Sequence, residues 1–156
     1  MQLGPKTEFK RMDDVINTFR DYIKSDNIEL EISILREWYA QYANLTHKDI
    51  KNYHLMRQSG CTTALVRVCG FLTYHGYSVA MVVRRQDDVR YIKPIITHHK
   101  QPMFPMVGIQ SFRGFRGYNL DLVVTDNLDY CSPRDTAEFM ECVIPVARVL
   151  LRFNTI

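Results

Sequence analysis

Apolar residues in the first 46 positions recur three and four apart, which is the spacing of one face of an α-helix. The first stripe comprises Met12, Val15, Ile16, Phe19, Tyr22 and Ile23. The second comprises Ile28, Ile32, Leu35, Tyr39 and Tyr42. It follows Asp26, which stands three residues before Glu29 in the manner of a helix N-cap. The pattern predicts an N-terminal pair of amphipathic helices over residues 1–46, and Trp38, in phase with the second stripe, is expected to pack rather than to serve as a stacking platform.

From about residue 52 onward, short apolar runs alternate with segments of helical spacing. The strand candidates are residues 53–56, 78–83, 107–112, 120–125 and 147–153. The helix candidates are residues 62–75, with Gly76 following as the C-cap, 86–92 and 134–142. A loop-rich stretch is marked by Pro94, Pro102 and Pro105. Because alternating strands and helices form βαβ units, the sequence predicts one α/β domain, with a mostly parallel sheet flanked by helices over residues 47–156.

Composition limits the class of protein. Of the 156 residues, 46% are hydrophobic and 24% are charged, which is typical of a globular chain. No run of 18 apolar residues occurs, so no membrane partner is expected, and the N-terminus has no apolar signal core. The cysteines are Cys61, Cys69, Cys131 and Cys142. They lack paired metal-ligand spacing, so we interpret them as reduced thiols in a cytoplasmic protein.

The net charge of +3 is unevenly distributed. Residues 1–46 carry −2, residues 47–83 carry +3, residues 84–116 carry +5 and residues 117–156 carry −3. A basic block can attract phosphates or nucleic acid, and it can equally form a solvated face balanced by acidic flanks. Both interpretations stay open. The candidate nucleic-acid-binding residues are Arg84, Arg85, Arg113 and Arg116.

A candidate phosphate-binding loop lies between the first strand and the helix that follows it. It comprises Arg57, Gln58, Ser59, Gly60, Cys61, Thr62 and Thr63. Free N–H groups and the positive end of the helix dipole stabilise an anion at such a helix start. Gly60 lets the backbone approach a phosphate, and the Thr62 hydroxyl is placed to hold Mg²⁺. The alternative is structural, with Gly60 forming a turn and Thr62 capping the helix.

A second motif lies downstream, where residues 122–127 read LVVTDN. An apolar strand that ends in an aspartate, here Asp126, has the form of a Walker B strand. The terminal carboxylate of such a strand holds Mg²⁺ opposite the hydroxyl of the phosphate-binding loop. Thr62 and Asp126 are therefore the predicted metal ligands, with ATP and Mg²⁺ bound together.

Two stretches resemble the ATPase core of the large terminase subunits of tailed phages. HLMRQSGCTTALVRVCGFLTYHGYSVAMVVRR is similar to their first ATPase motif and second strand. IQSFRGFRGYNLDLVVTDN is similar to the segment through their Walker B motif, with matches at Arg116, Gly117, Asp121 and Asp126. The final stretch, VIPVARVLLRFNTI, resembles the strand that carries their coupling motif, with Thr155 near its end.

This resemblance covers about residues 47–156 and implies a RecA-like P-loop NTPase-type core. It also implies a phage origin, a setting in the host cytoplasm, and DNA or a protein as the partner. Two departures from the family pattern concern catalysis. Cys61 replaces the lysine that reaches the β- and γ-phosphates, and Asn127 replaces the glutamate that activates water. Losing one charge-stabilising donor costs about 10²–10³ in rate, and losing a general base costs about 10²–10⁴.

The sequence therefore favours a hydrolysis-deficient nucleotide site in a protein that acts through nucleic-acid or protein binding. The alternative is an active packaging ATPase in which Arg57 does the work of the missing lysine and Asp129 serves as the base. Cys61 adds a third hypothesis. A helix N-terminus lowers the pKa of a cysteine, and the spacing to Arg67 matches a cysteine phosphatase loop. The apolar helix that continues from Cys61 favours a packed thiol over that chemistry.

Overall fold

The computed structural model describes residues 5–44, 50–56 and 60–155 of the chain. The helices are α1 (Met12–Ile23), α2 (Glu29–Ala43), α3 (Cys61–Tyr74), α4 (Val89–His98) and α5 (Pro133–Val143). The strands are β1 (Lys51–Leu55), β2 (Val79–Val83), β3 (Met106–Gly108), β4 (Leu122–Asp126) and β5 (Leu150–Thr155). Short 3-10 helices cover Gln86–Asp88, Ile109–Phe115 and Leu128–Tyr130.

These strands form one parallel sheet in the order β1-β5-β4-β2-β3. Helices α1 to α4 pack on one face, where Val124 and Leu151 point, and α5 packs on the other face with Val123 and Leu150. Because both faces are covered, β2 is buried throughout, which explains its continuous apolar run. The predicted α/β class, with a parallel sheet flanked by helices, is confirmed. The architecture is consistent with a RecA-like or Rossmann-type fold.

The chain leaves β1 and β4 in opposite directions. Helix α3 carries it from β1 across one face to β2, and α5 carries it from β4 across the other face back to β5. In open parallel sheets, ligands bind at the carboxyl ends of the strands where connections diverge in this way. The crevice lies beyond the end of β5, between Leu55 on β1 and Asp126 on β4.

The predicted N-terminal helical pair is present as α1 and α2. Trp38 is fully buried, which confirms its packing role. The predicted N-cap of α2 is wrong, because the helix begins at Glu29 and its N-cap is Ile28, which makes no side-chain capping bond. Ile28 is itself buried in the core, so apolar packing rather than the Asp26 side chain sets this helix start.

Two predicted boundaries differ around β3. Helix α4 continues through Pro94, where the sequence predicts a loop, because its apolar stripe is buried against the rest of the core. β3 covers Met106–Gly108, so only residues 107 and 108 of the predicted strand 107–112 pair, and a 3-10 helix follows. Phe112 of that helix is buried with its ring centroid 5.1 Å from that of Phe139, so packing on α5 outweighs strand propensity.

The last strand starts later than predicted. Ala147 forms only an isolated bridge with Leu120, and continuous pairing begins at Leu150. Within the described ranges, no helix combines the length and the apolar character needed to cross a lipid bilayer.

Asp121 joins four parts of the fold at the amino ends of the strands. Its buried carboxylate accepts hydrogen bonds from the Lys6 ammonium at 2.8 Å and from the Ser78 N–H at 2.8 Å. The indole of Trp38 donates to the Asp121 backbone oxygen at 3.2 Å. Burial opposes the charged form of Lys6, yet the hydrogen bond and charge of Asp121 outweigh it and raise the pKa of Lys6. The N-terminal segment, α2, β2 and β4 are therefore held at one point.

Replacing Asp121 by alanine should destabilise the fold more than replacing Lys6 by methionine. Asp121→Ala leaves the partly buried Ser78 N–H without its acceptor, which costs about 1–3 kcal/mol in addition to the lost ion pair. Lys6→Met should cost less than about 1 kcal/mol, because the Lys6 side chain is 45% exposed and its charge is screened by water. Urea unfolding of both variants measures the difference, and equal losses would contradict this account of the Asp121 contacts.

Candidate functional site at the carboxyl ends of the strands

The start of α3 retains the backbone geometry of an anion site. Gly60 lies in the left-handed region, at φ 81° and ψ 18°, which glycine adopts without steric cost. The first helical hydrogen bond runs from the Ala64 N–H to the Gly60 oxygen at 2.9 Å. The N–H groups of Cys61, Thr62 and Thr63 therefore have no acceptor within the helix. The remaining residues of the predicted loop lie outside the described residues: Arg57, Gln58 and Ser59.

Cys61 is a packed thiol rather than a nucleophile. It is only 4% exposed, and burial, assisted by the charge of Asp126, raises the pKa of the Cys61 thiol to about 12. The expected lowering of this pKa by the helix dipole is wrong, because desolvation and a neighbouring carboxylate outweigh it. The cysteine phosphatase hypothesis requires a thiolate, and a thiol with this raised pKa stays protonated near neutral pH. The electrostatic contact also shows that the fold brings the start of α3 and Asp126 together.

Asp126 ends β4 beside Cys61. The pKa of the Asp126 carboxyl is raised to about 6, mainly by burial and in addition by the charge of Asp88, with Arg84 acting in the opposite direction. The Asn127 side-chain N–H donates to the Asp126 carboxylate at 3.1 Å. Burial disfavours the ionised form of a carboxylate, and a cation that binds to the carboxylate stabilises that form. Asp126 therefore has the electrostatic character of a Mg²⁺ ligand.

Asn127 joins the ends of β4 and β5. It lies at φ 62° and ψ 36°, and its backbone N–H donates to the Phe153 oxygen at 2.7 Å. Its side-chain oxygen accepts from the Thr155 N–H at 2.7 Å and from the Thr155 hydroxyl at 3.0 Å. The residue that stands in place of the expected glutamate is thus engaged in structural bonds on both sides. We refer to this set of bonds as the Asn127 clasp.

Asp129 is also engaged. Its carboxylate lies 3.3 Å from the Arg152 guanidinium, and its N–H donates to the Asn154 side-chain oxygen at 3.1 Å. A carboxylate oxygen that already accepts a hydrogen bond from a guanidinium is less available to accept one from a water molecule. The contact with Arg152 argues against Asp129 as the group that activates a water molecule.

The predicted nucleic-acid-binding arginines fall in different places. Arg84 and Arg85 follow β2 at the carboxyl edge and lie 3.6 Å and 3.9 Å from Asp88. They line a cleft of about 590 Å³. Arg113 lines a neighbouring cleft of about 350 Å³ between α5 and the 3-10 helix Ile109–Phe115. Arg116 is exposed at the end of that 3-10 helix.

Two residues of this edge escaped sequence reasoning. Asp88 contributes charge to the Asp126 site, and the Tyr130 ring lies 5.8 Å from the Arg84 guanidinium. Both follow a strand end by four or five residues, which is the signal that could have pointed to them. In the described parts of the chain, no three histidine, cysteine or acidic side chains gather as a metal site. Mg²⁺ bound here would therefore depend on Asp126, Thr62, phosphate oxygens and water, a set that this ion accepts.

A comparison of the sequence with protein-family models and with curated proteins finds no match. The resemblance to terminase ATPase cores accordingly stays a prediction carried by the two motifs.

Asp126→Asn should change the pH dependence of stability. The pKa of Asp126, about 6, lies above the ordinary value of 3.8, so the folded state binds its proton more tightly than the unfolded state. This stabilisation is complete below about pH 4 and is lost as the pH rises through about 6. In buffer without nucleotide or metal, Asp126→Asn should therefore gain stability over wild type at pH 8, by on the order of 2 kcal/mol, and the gain should vanish near pH 4.

Urea unfolding at pH 4, 6 and 8 tests this expectation, with the exposed Asp87→Asn as the matched control. A difference between Asp126→Asn and wild type that is constant with pH would show that this carboxyl is not perturbed.

Asn127→Glu should destabilise the protein rather than restore a catalytic base. The left-handed conformation costs a longer side chain about 1–2 kcal/mol, and each lost hydrogen bond of the Asn127 clasp costs about 1 kcal/mol. Asn127→Gly loses the same side-chain bonds without the conformational cost, so it should be the more stable variant. Equal unfolding midpoints for the two variants would mean that the backbone at residue 127 relaxes freely.

Proposed function

We propose that this chain is a terminase-like P-loop protein whose nucleotide site binds Mg-nucleotide weakly and hydrolyses it negligibly. It acts through nucleic-acid or protein binding. The observation that carries the proposal is the meeting of the Gly60–Cys61 turn with Asp126 at the carboxyl edge of one parallel sheet. Each motif is weak alone, and their convergence in space is what favours a shared ligand.

Strand order supports the same proposal. β5 lies between β1, which leads into the Gly60 turn, and β4, which ends in Asp126. A Mg-phosphate group needs an anion site and a carboxylate on opposite sides of one crevice. With one intervening strand, β1 and β4 lie roughly 10 Å apart, which leaves room for a phosphate and a hydrated metal ion between the two motifs.

Binding and hydrolysis place different demands on the site. Free N–H groups at the start of α3 and the ionised Asp126 are sufficient to attract a Mg-phosphate group. Hydrolysis also requires a cation on the transferred phosphate and a group that orients water. Cys61 is neutral because the pKa of its thiol is raised to about 12, and Asn127 is held by Thr155. The described residues therefore support a binding site better than a catalytic one.

The setting follows from the same resemblance. A terminase-like protein belongs to a phage and works in the host cytoplasm on DNA or on other packaging proteins. Arg84 and Arg85 stand at the same edge as Asp126, so a nucleic-acid contact and the nucleotide site would adjoin each other. Nucleotide binding at Asp126 would then alter the charge beside that contact, which is a route for one ligand to affect the other.

Mg-ATP should stabilise the folded protein through Asp126. Ligand present at about 100 times its Kd contributes about 2.7 kcal/mol, which corresponds to roughly 5–11 °C in Tm for a domain of this size. We expect such a shift with about 5 mM Mg-ATP, a smaller one when EDTA removes the metal, and little shift for Asp126→Asn. Each shift is compared with the same variant free of nucleotide, since Asp126→Asn changes the baseline.

Phosphate release should stay at the level of the buffer blank. An absence of any shift at millimolar Mg-ATP would refute nucleotide binding. A steady release of phosphate that Asp126→Asn abolishes would refute the hydrolysis-deficient site and favour the active ATPase.

A further inference from the structure

The cleft beside Arg84 and Arg85 is a structurally defined feature distinct from the start of α3. It lies at the carboxyl ends of β2, β3 and β4, between the turn that follows β2 and the segment before α5. Arginines stand on one side and the Tyr130 ring on another, with polar side chains such as Gln86 and Ser132 between them. Its volume of about 590 Å³ falls within the range of small-ligand sites.

The base of this cleft is fixed by a close backbone contact. A Cβ atom on Gly108 would lie 2.6 Å from the Gln86 nitrogen and 2.9 Å from the Arg85 carbonyl carbon, so only glycine fits. The Gly108 N–H donates to the Gln86 side-chain oxygen at 3.0 Å. Because β3 and the turn after β2 are held together in this way, the backbone that carries Arg85 is positioned before any ligand arrives.

The cationic group is available to a ligand. The Arg85 side chain is 70% exposed, and its distance of 3.9 Å from Asp88 is longer than a hydrogen bond. Tyr130 is 60% exposed, although its hydroxyl donates to the Thr155 backbone oxygen at 3.0 Å. That bond orients the ring, and the Arg84 guanidinium lies 5.8 Å from its centroid. An oriented aromatic ring and an exposed guanidinium that line the same cleft are the pairing that holds a base and its adjoining phosphate.

Acidic groups nearby disfavour a duplex. Asp135 lies on the rim of this cleft, and Glu138 lines the adjoining cleft that contains Arg113. A duplex presents a continuous array of phosphates, which these carboxylates would repel, and it keeps its bases stacked away from Tyr130. A single strand can direct one phosphate to Arg85 and turn one base onto the ring.

We infer that the cleft between Arg85 and Tyr130 binds a short stretch of single-stranded nucleic acid, with a phosphate on the arginines and a base stacked on Tyr130. This inference rests on the nucleic-acid branch of the proposed function and names the form of the partner. It does not depend on the nucleotide site at Asp126.

Fluorescence anisotropy with a labelled oligo(dT) of about 12 nucleotides tests the inference, alongside the same oligonucleotide annealed to its complement. Tyr130→Ala should weaken single-strand binding by about 5- to 100-fold, the usual effect of removing one base–aromatic stack. Tyr130→Phe keeps the ring and should bind within about twofold of wild type. The matched control is Tyr91→Ala, which removes a tyrosine that is 76% exposed on α4 and is not among the residues that line the cleft.

Salt dependence tests the phosphate contact. Contacts to two phosphates in a single strand give a slope of log K against log salt of about −1.4, and Arg85→Gln should reduce its magnitude by about 0.7. Arg20→Gln, an exposed change on α1, should leave the slope unchanged. Circular dichroism melts verify that each variant is folded.

Three results would overturn the inference: no binding of oligo(dT), duplex binding as tight as single-strand binding, or cleft variants that bind like wild type. The two proposals fail separately. If Mg-ATP gives no shift in Tm but oligo(dT) binds, only the proposed nucleotide site is refuted. If Mg-ATP shifts the Tm but oligo(dT) does not bind, only the inference about the cleft is refuted.

Discussion

The position of β5 between β1 and β4 is the constraint on which the candidate site depends. Thr155 is in register with Leu55 on one side, and Phe153 is in register with Asp126 on the other. This double pairing fixes how far the start of α3 lies from the carboxylate of β4. Because all the strands are parallel, their carboxyl ends meet at one edge, and residues distant in the sequence converge there.

Polar groups at this edge are arranged at a cost to stability. The pKa of the Asp126 carboxyl is raised to about 6, mainly by burial, and the nearby charge of Arg84 offsets that rise only in part. Proteins retain such unfavourable groups where a ligand compensates them. The amino ends of the strands contrast with this edge, since the charge of Asp121 there is fully matched by Lys6 and by the Ser78 N–H.

The fold could be predicted largely from the sequence. A strand that is buried on both faces of a parallel sheet has a continuous apolar sequence, as β2 does, and such runs are easy to recognise. The convergence of Gly60 with Asp126 was also predictable, through the rule that ligands gather at the carboxyl ends. The Asn127 clasp was not, because its partner Thr155 lies 28 residues away and no local pattern marks the pair. The pKa of Cys61 was mispredicted for a similar reason, since burial and the distant Asp126 determine it. Helix α4 shows that core packing can outweigh a proline.

The contact between Lys6 and Asp121 has a consequence for synthesis on the ribosome. It spans 115 residues, so the N-terminal segment emerges long before its partner exists. At about 5–20 residues per second, the delay is on the order of ten seconds. During that time α3 and β2 emerge before β4, so the core that covers α1 and α2 forms in steps, and Trp38 has no backbone acceptor until Asp121 is made. The helical pair that comes first in the chain therefore waits for later segments, and we expect its apolar surface to be a place where a chaperone binds the nascent protein.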